Sequence, residues 1–423
     1  MGKKLLVIQV AGLSRPIELA GMALRPIQSV LPAVTCTVQA SFRTASPPAS
    51  HGMVANGLFC RSLARPMFWE QSARLVAGPR IWEDFRRRGR TVGMMFWQQS
   101  LGENVDLILS PAPIHKHHGG MIEACYCKPA DLYNRLVAAV GEPFKLRHYW
   151  GPLASAKAGD WIADATAAVL ADESLAPDLL LTYLPTLDYD LQRHSPDHRR
   201  CDKAAAALTR QLQCLLRAAD RTGRDVLLFG DYCIAPVGGA VFPNRALLEA
   251  GLLTAREVGG MLYPDLFASQ AFAMVDHEIA HVYIPDGRDI PVAAEVLQSL
   301  PGIADVLARG EQLSLGLAHA NSGQLILLAE PGKWLAYPWW TDSRHAPDYA
   351  GHVDIHNKPG FDPCELFFGW PPGSVSTNAA RVRGSHGRVG KGRDVLWGSS
   401  LSFAPDPADL IELARALGKW LNE

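Results

Sequence analysis

An α/β fold with a mostly parallel central sheet is predicted by three observations. Four short apolar runs, LLVIQV (5–10), TVGMMFW (91–97), DLLLTYL (178–184) and DVLLFG (225–230), are bounded by polar or turn residues. Runs that are apolar at nearly every position suit strands covered on both faces, as parallel strands are. Amphipathic stretches with three- and four-residue spacing lie between them, the alternation of an α/β chain. A hydrophobic share of 48% over 423 residues then supplies a sizeable core and excludes a disordered chain.

At roughly 150 residues per domain, this length allows two or three domains or one large α/β domain with an insertion. Lys and Arg number 41 against 42 Asp and Glu, a net charge of −1. That balance gives no global basic field, so neither nucleic acid nor an anionic membrane is an expected partner. No apolar run approaches the ~20 residues that span a bilayer. The opening MGKKLLVIQV has too short an apolar segment for a signal peptide and reads as a buried first strand. Eight cysteines, at 36, 60, 125, 127, 201, 214, 233 and 364, show no framework spacing. Reduced thiols and a cytoplasmic location are expected.

Taken in order, the strand at 5–10 leads to VLPAV (30–34), read as strand-like, and then to TCTVQASFRT (35–44), which has the makings of a helix. Cys125 and Cys127 share one face of a strand. WIADATAAVLADES (161–174) and DKAAAALTRQLQCLLRAADRTG (202–223) carry helical spacing, the second closing at Gly223 as a C-terminal cap would. Residues 240–345 change character: a strand, AFAMVDHEIAHVYI (271–284), a helix over 290–308, two strands, SLGLA and GQLILLAE, and the aromatic patch WLAYPWW. This predicts a small α+β lid at 240–345 on a core formed by 1–239 and 346–423. DPADLIELARALGKWLNE closes the chain as a helix.

The most informative stretch is LPAVTCTVQASFRTASPPASHGMVANG (31–57). Thr35 falls at a strand end and helix N-terminus, where free N–H groups and the helix dipole favour negative charge, helping an alkoxide form and a phosphate bind. A plain N-cap role is the alternative for an isolated Thr.

In this stretch the chain resembles the alkaline phosphatase superfamily, in its nucleotide pyrophosphatase/phosphodiesterase branch. That branch sets its nucleophilic Thr in P-T-x-T-F-P-N, followed by TG-x-x-P-x-x-HG-x-x-x-N. The counterparts here are Pro32-Ala-Val-Thr35, then Thr44 through His51-Gly52 and Asn56. YLPTLDYDLQRHSPD (183–197) aligns with a metal-binding Asp followed four residues on by a His, giving Asp188 and Gln192. LLFGDYCI (227–234) aligns with S-D-H-G-M, giving Asp231 and Tyr232. VRGSHGRVG (382–390) resembles the late HG loop and supplies His386, and GQLILLAEPGKW (323–334) resembles a strand of the inserted lid.

The resemblance implies an α/β/α sandwich and hydrolysis of a small-molecule phosphate ester, most plausibly a phosphodiester or pyrophosphate. Thr35 is then the nucleophile, Asn56 holds a phosphate oxygen, and one or two zinc ions assist. The departures are specific. The family's first strand delivers an Asp to the second metal where this chain has Gln9-Val-Ala-Gly12, and Gln192 and Tyr232 stand at two His positions. The remaining donors Asp188, Asp231, His386 and Thr35, shared between two zinc ions, leave each short of the four ligands zinc prefers. One metal aided by Gln192, compensation by His356 in VDIHNKPGF, or a metal-poor homologue with altered or lost activity all stay open.

His277-Glu-Ile-Ala-His281 fits the H-E-x-x-H zinc motif. Its flanks are β-leaning, and on a strand the two imidazoles stand about 13 Å apart, too far for one zinc. One histidine satisfied at a strand edge and another facing the lid are expected instead. His115-Lys-His117-His118 reads as a solvated loop, Arg86 to Arg90 as a basic helix C-terminus, and Trp334, Tyr337, Trp339 and Trp340 as lid packing.

Overall fold

The computed structural model describes residues 2–118 and 120–423. Its main sheet has eight strands in the order Arg25–Ile27, Val395–Ser399, Asp225–Gly230, Leu5–Val10, Leu179–Leu184, Val92–Met95, Leu107–Pro111 and Cys125–Lys128. The five from Asp225–Gly230 to Leu107–Pro111 run parallel. The three flanking strands pair antiparallel. All four apolar runs form parallel strands, and Leu5–Val10 and Leu179–Leu184 are buried along their whole length.

Register decides which side chains share a face. Gln9 lies level with both Tyr183 and Phe229, so these three project to one side of the sheet. Phe42 of the helix Thr35–Thr44 stacks on Phe229 there, with ring centroids 4.5 Å apart. Thr182 points to the other side and hydrogen-bonds Thr166 of the helix Ala156–Ala171 at 2.9 Å. That helix packs on Cys201–Arg221, while Thr35–Thr44 packs on the closing helix Leu410–Asn422. The result is an alkaline-phosphatase-like α/β/α sandwich.

The Thr35 helix is anchored by a buried cation at its far end. Arg43 donates to the carbonyls of Gln98 and Gln99 and lies 3.6 Å from Glu103, with no side-chain exposure. A guanidinium fits such a site because its planar fork satisfies several acceptors at once.

Within 240–345 lies a four-stranded antiparallel sheet, ordered Phe272–Asp276, Ile279–Tyr283, Leu325–Ala329 and Ile303–Leu307. Several expectations fail here. The run 271–284 is a hairpin, reversing at His277-Glu278, because Asp276 pairs with Ile279. The stretch 290–308 divides into a helix, Ile290–Gln298, and a strand, Ile303–Leu307. Pro301-Gly302, with Gly302 at φ 96°, stops the helix. SLGLA forms no strand, since it continues the short helix Arg309–Ser314 into a turn. VLPAV is likewise irregular.

Candidate active site

Thr35 is the first residue of its helix and sits beyond the carboxyl ends of the parallel strands, where open α/β sheets hold ligands. Val34 occupies the N-cap and offers no side-chain acceptor to the first turn. The Asn56 Oδ1 accepts from the Cys36 N–H at 3.0 Å. Apart from the Cys36 N–H, the first turn of this buried helix has no side-chain acceptor among the described residues and keeps N–H groups available to an anion. Tyr183 and Tyr232 face the Thr35 hydroxyl. Burial raises both phenols well above their usual range, and the hydroxyl partly offsets that rise.

Around Thr35 a cleft is lined by Asn56, Trp69, Tyr149, Trp150, Asp188, Gln192, Tyr232, His277, Phe361 and His386, among others. Thr35, Asn56, Asp188, Gln192 and His386 therefore share one cleft. Asp231 lies just beneath it, fully buried. His356 is not brought to this group. Its Nδ1 bonds the Phe68 carbonyl at 3.0 Å, and it lines the neighbouring groove with His115.

The resemblance implies metal assistance, and the donor set tests whether this site suits a metal. Asp231 accepts from Gln9 Nε2 at 3.0 Å and from the backbone N–H groups of Gly12 and Tyr232 at 3.1 and 2.9 Å. Asp188 accepts from the Tyr232 hydroxyl at 2.9 Å and from Gln192 Nε2 at 2.7 Å. The Tyr232 ring lies flat on His386, centroids 3.5 Å apart. Each residue that departs from the family pattern thus donates to, or covers, a residue that would have bound metal. Among the described residues, no three His, Cys, Asp or Glu side chains converge as a metal site requires. This donor set does not fit the implied zinc centre.

Burial sets the charge of what remains. It pushes the Asp231 carboxyl far upward, against the pull of Gln9 and Gly12, and raises Asp188 to about 6 despite Tyr232 and Gln192. For Asp188 the sign is definite. A carboxyl whose folded value is raised contributes stability that is present below about pH 4 and lost as pH rises through about 6. Asp188→Asn is therefore expected to become more stable, relative to wild type, on going from pH 4.5 to 8. Asp188 keeps part of its surface in solvent, so the gain is about 1–2 kcal/mol. Gln192 has a buried Oε1 without a partner among the described residues, which an amide flip offers to the new Asn N–H. Urea midpoints at the two pH values check this, and equal differences at both would refute it.

Three further groups join the site that sequence reasoning did not assign to it. Tyr183 is one. The others are Asp276 and His277, at the tip of the hairpin in the inserted sheet. Asp276 accepts from Asn56 at both its backbone N–H (2.7 Å) and Nδ2 (3.1 Å), and bonds His277 Nδ1 at 2.7 Å. His281, expected to be satisfied, is so: Nε2 bonds the Val54 carbonyl and Nδ1 the Gly323 N–H. His277 faces the cleft and not only the lid. The available signal was a pair of β-leaning runs meeting at Asp-His-Glu, a reversal that projects its residues outward.

An open, mostly parallel α/β sheet with a cleft beyond its strand ends, beside a smaller antiparallel sheet, is the architecture of the alkaline phosphatase class. The model of the type I phosphodiesterase/nucleotide pyrophosphatase family matches residues 19–362. The chain belongs to that family, a family of phosphate-ester hydrolases. Among solved structures, phosphonoacetate hydrolase from Sinorhizobium meliloti 1021, in complex with phosphonoformate, is similar at 17% identity and a TM-score of 0.61. That match covers 98% of this chain and 95% of the other. Murine ectonucleotide pyrophosphatase/phosphodiesterase 5 is similar at 13% identity and a TM-score of 0.59, covering 99% and 95%. No curated protein matches by sequence.

Proposed function

We propose that the cleft hydrolyses a phosphodiester, with Thr35 as the nucleophile. The observation that carries this reading is Thr35 as the first residue of a buried helix whose N-cap residue, Val34, supplies no acceptor, with Thr35 lining the cleft. The Oγ attacks phosphorus, the leaving oxygen departs with one ester group, and water then opens the phosphothreonine. First-turn N–H groups stabilise the charge that develops on the non-bridging oxygens. Asn56 supports that turn from Cys36. Asp188 and Asp231, at the family's metal positions, are held by Tyr232, Gln192 and Gln9, so the chain's own groups carry the chemistry.

The lining favours a diester over a monoester. Its carboxylates Asp188, Asp354, Asp362 and Glu365 outnumber its cation Lys358, which is bound to Asp362 and Glu365, each at 2.8 Å. Such a wall tolerates the single charge of a diester better than the two charges of a monoester. Trp69 and Trp150, 4.9 Å apart, offer an apolar seat for an ester group. Phosphonoformate is bound by the similar phosphonoacetate hydrolase, and AMP by an inactive variant of murine ectonucleotide pyrophosphatase/phosphodiesterase 5. Small phosphoryl ligands therefore suit this fold. Turnover of bis(4-nitrophenyl) phosphate is expected to exceed that of 4-nitrophenyl phosphate by at least ~10-fold in kcat/KM. Equal rates, or preference for the monoester, would overturn the diester assignment.

A further inference from the structure

Asp276 is engaged as an acceptor throughout. Oδ2 takes the Asn56 N–H, and Oδ1 takes both Asn56 Nδ2 and His277 Nδ1. With the carboxylate accepting, Nδ1 carries the His277 proton and Nε2 presents its lone pair. Nε2 is buried and has no hydrogen-bond partner among the described residues, although His277 is only 2% exposed and lines the Thr35 cleft. A buried nitrogen of this kind is costly unless a ligand or reactant completes it.

Its placement is fixed from several sides. His277 adopts φ 63°, uncommon for a residue other than glycine, at the tip of the hairpin. Its own carbonyl accepts from Leu335 N–H at 2.7 Å, and the neighbouring Glu278 is bound by Arg393 and the Arg388 N–H. The imidazole lies between Phe361 and His386, with centroids 3.8 and 3.7 Å away. Two short bridges tie it to the backbone on either side of Thr35. One runs from Asp276 through Asn56 to Cys36 N–H, the other from His386 Nδ1 to the Ala33 carbonyl at 2.8 Å. Asp188 already accepts from Tyr232 and Gln192, whereas His386 uses Nδ1 on the Ala33 carbonyl and has one ring face covered by Tyr232.

We propose that His277, oriented by Asp276, is the base that takes the Thr35 hydroxyl proton. This rests on the reading of Thr35 as nucleophile. As the Thr35 Oγ–P bond forms, the Oγ proton passes to Nε2. As the P–O bond to the leaving group breaks on the far side of phosphorus, the departing oxygen takes a proton from solvent while Nε2–H keeps its own. Water then attacks the phosphothreonine from that vacated side, losing a proton to solvent, and Thr35 Oγ leaves with the proton that Nε2–H returns. Protons and bonds balance over the cycle. An acid–imidazole pair from the inserted sheet and a hydroxyl from the core thus line one cleft, and the proton transfer joins them as a relay in place of a metal.

A fluorophosphonate probe tests this without knowledge of the natural substrate, since it phosphonylates an activated hydroxyl and is read by peptide mass spectrometry. Wild type is expected to be labelled at Thr35. His277→Asn, which accepts the positive φ, is expected to be labelled at least ~100-fold more slowly with an unchanged melting temperature. His277→Gly is a second variant suited to this backbone, and its labelling is expected to recover when free imidazole is added. Labelling of both variants within ~3-fold of wild type, with no imidazole response, would overturn the role of His277 while leaving the nucleophile in place. Wild type left unlabelled at Thr35 would overturn the nucleophile and the base together.

Discussion

Thr35→Ala is expected to lower phosphodiester turnover by at least ~10³-fold, the scale on which removing a nucleophile abolishes the covalent route. The same change should eliminate the phosphothreonine that acid quenching and peptide mass spectrometry detect in wild type. Stability should hardly move. Thr35 is at the first helical position, not the N-cap, and alanine is a good helix former there. A denaturation midpoint close to wild type would therefore separate loss of chemistry from loss of fold. Thr35→Ser keeps the hydroxyl and should keep the adduct. Activity of Thr35→Ala within ~10-fold of wild type would exclude the covalent mechanism.

The second large effect concerns metal. Wild type, loaded with zinc and then desalted, is expected to retain well under one zinc ion per chain, read by mass spectrometry of the intact protein. The triple variant Gln9→Asp, Gln192→His and Tyr232→His is expected to hold one or two. The reasoning is chemical. Gln9 Nε2, Gln192 Nε2 and the Tyr232 hydroxyl each present a proton to a carboxylate where a ligand would present a lone pair. Replacing them frees Asp188 and Asp231 and removes the ring stacked on His386. Carboxylate and imidazole donors then reach the number zinc takes. Stoichiometric zinc in wild type would show that these hydrogen bonds yield to the metal, and the proposed base at His277 would then lose its reason.

The parallel strands were legible because burial on both faces leaves a local mark. LLVIQV, DLLLTYL and DVLLFG are apolar almost throughout, and no other common element needs that pattern in six residues. The Thr35 helix was legible from a hydroxyl set before a helical run. Asp188, Asp231, Asn56 and His386 could be placed through family resemblance. The fold brings Thr35, Asn56, Asp188, Gln192 and His386 into one cleft. Less was legible between 271 and 318. There a β-leaning run of 14 residues reads the same as one strand or as two strands joined by a tight reversal. Only pairing across the sheet chooses between them.

By itself, therefore, the sequence determined the α/β class, the buried strands, the helix that presents Thr35 and the three substitutions at the family's metal positions. Each of these is written in local spacing or residue identity. Tertiary structure alone decided what the substitutions do and what joins Thr35. Gln9 meets Asp231 across 222 positions, and Asn56 meets Asp276 across 220. Partners so distant leave no periodicity in the chain. Whether a buried carboxylate faces a metal, an amide or a phenol depends on which strands lie side by side. Whether His277 fills a core or lines the Thr35 cleft depends on where one hairpin turns.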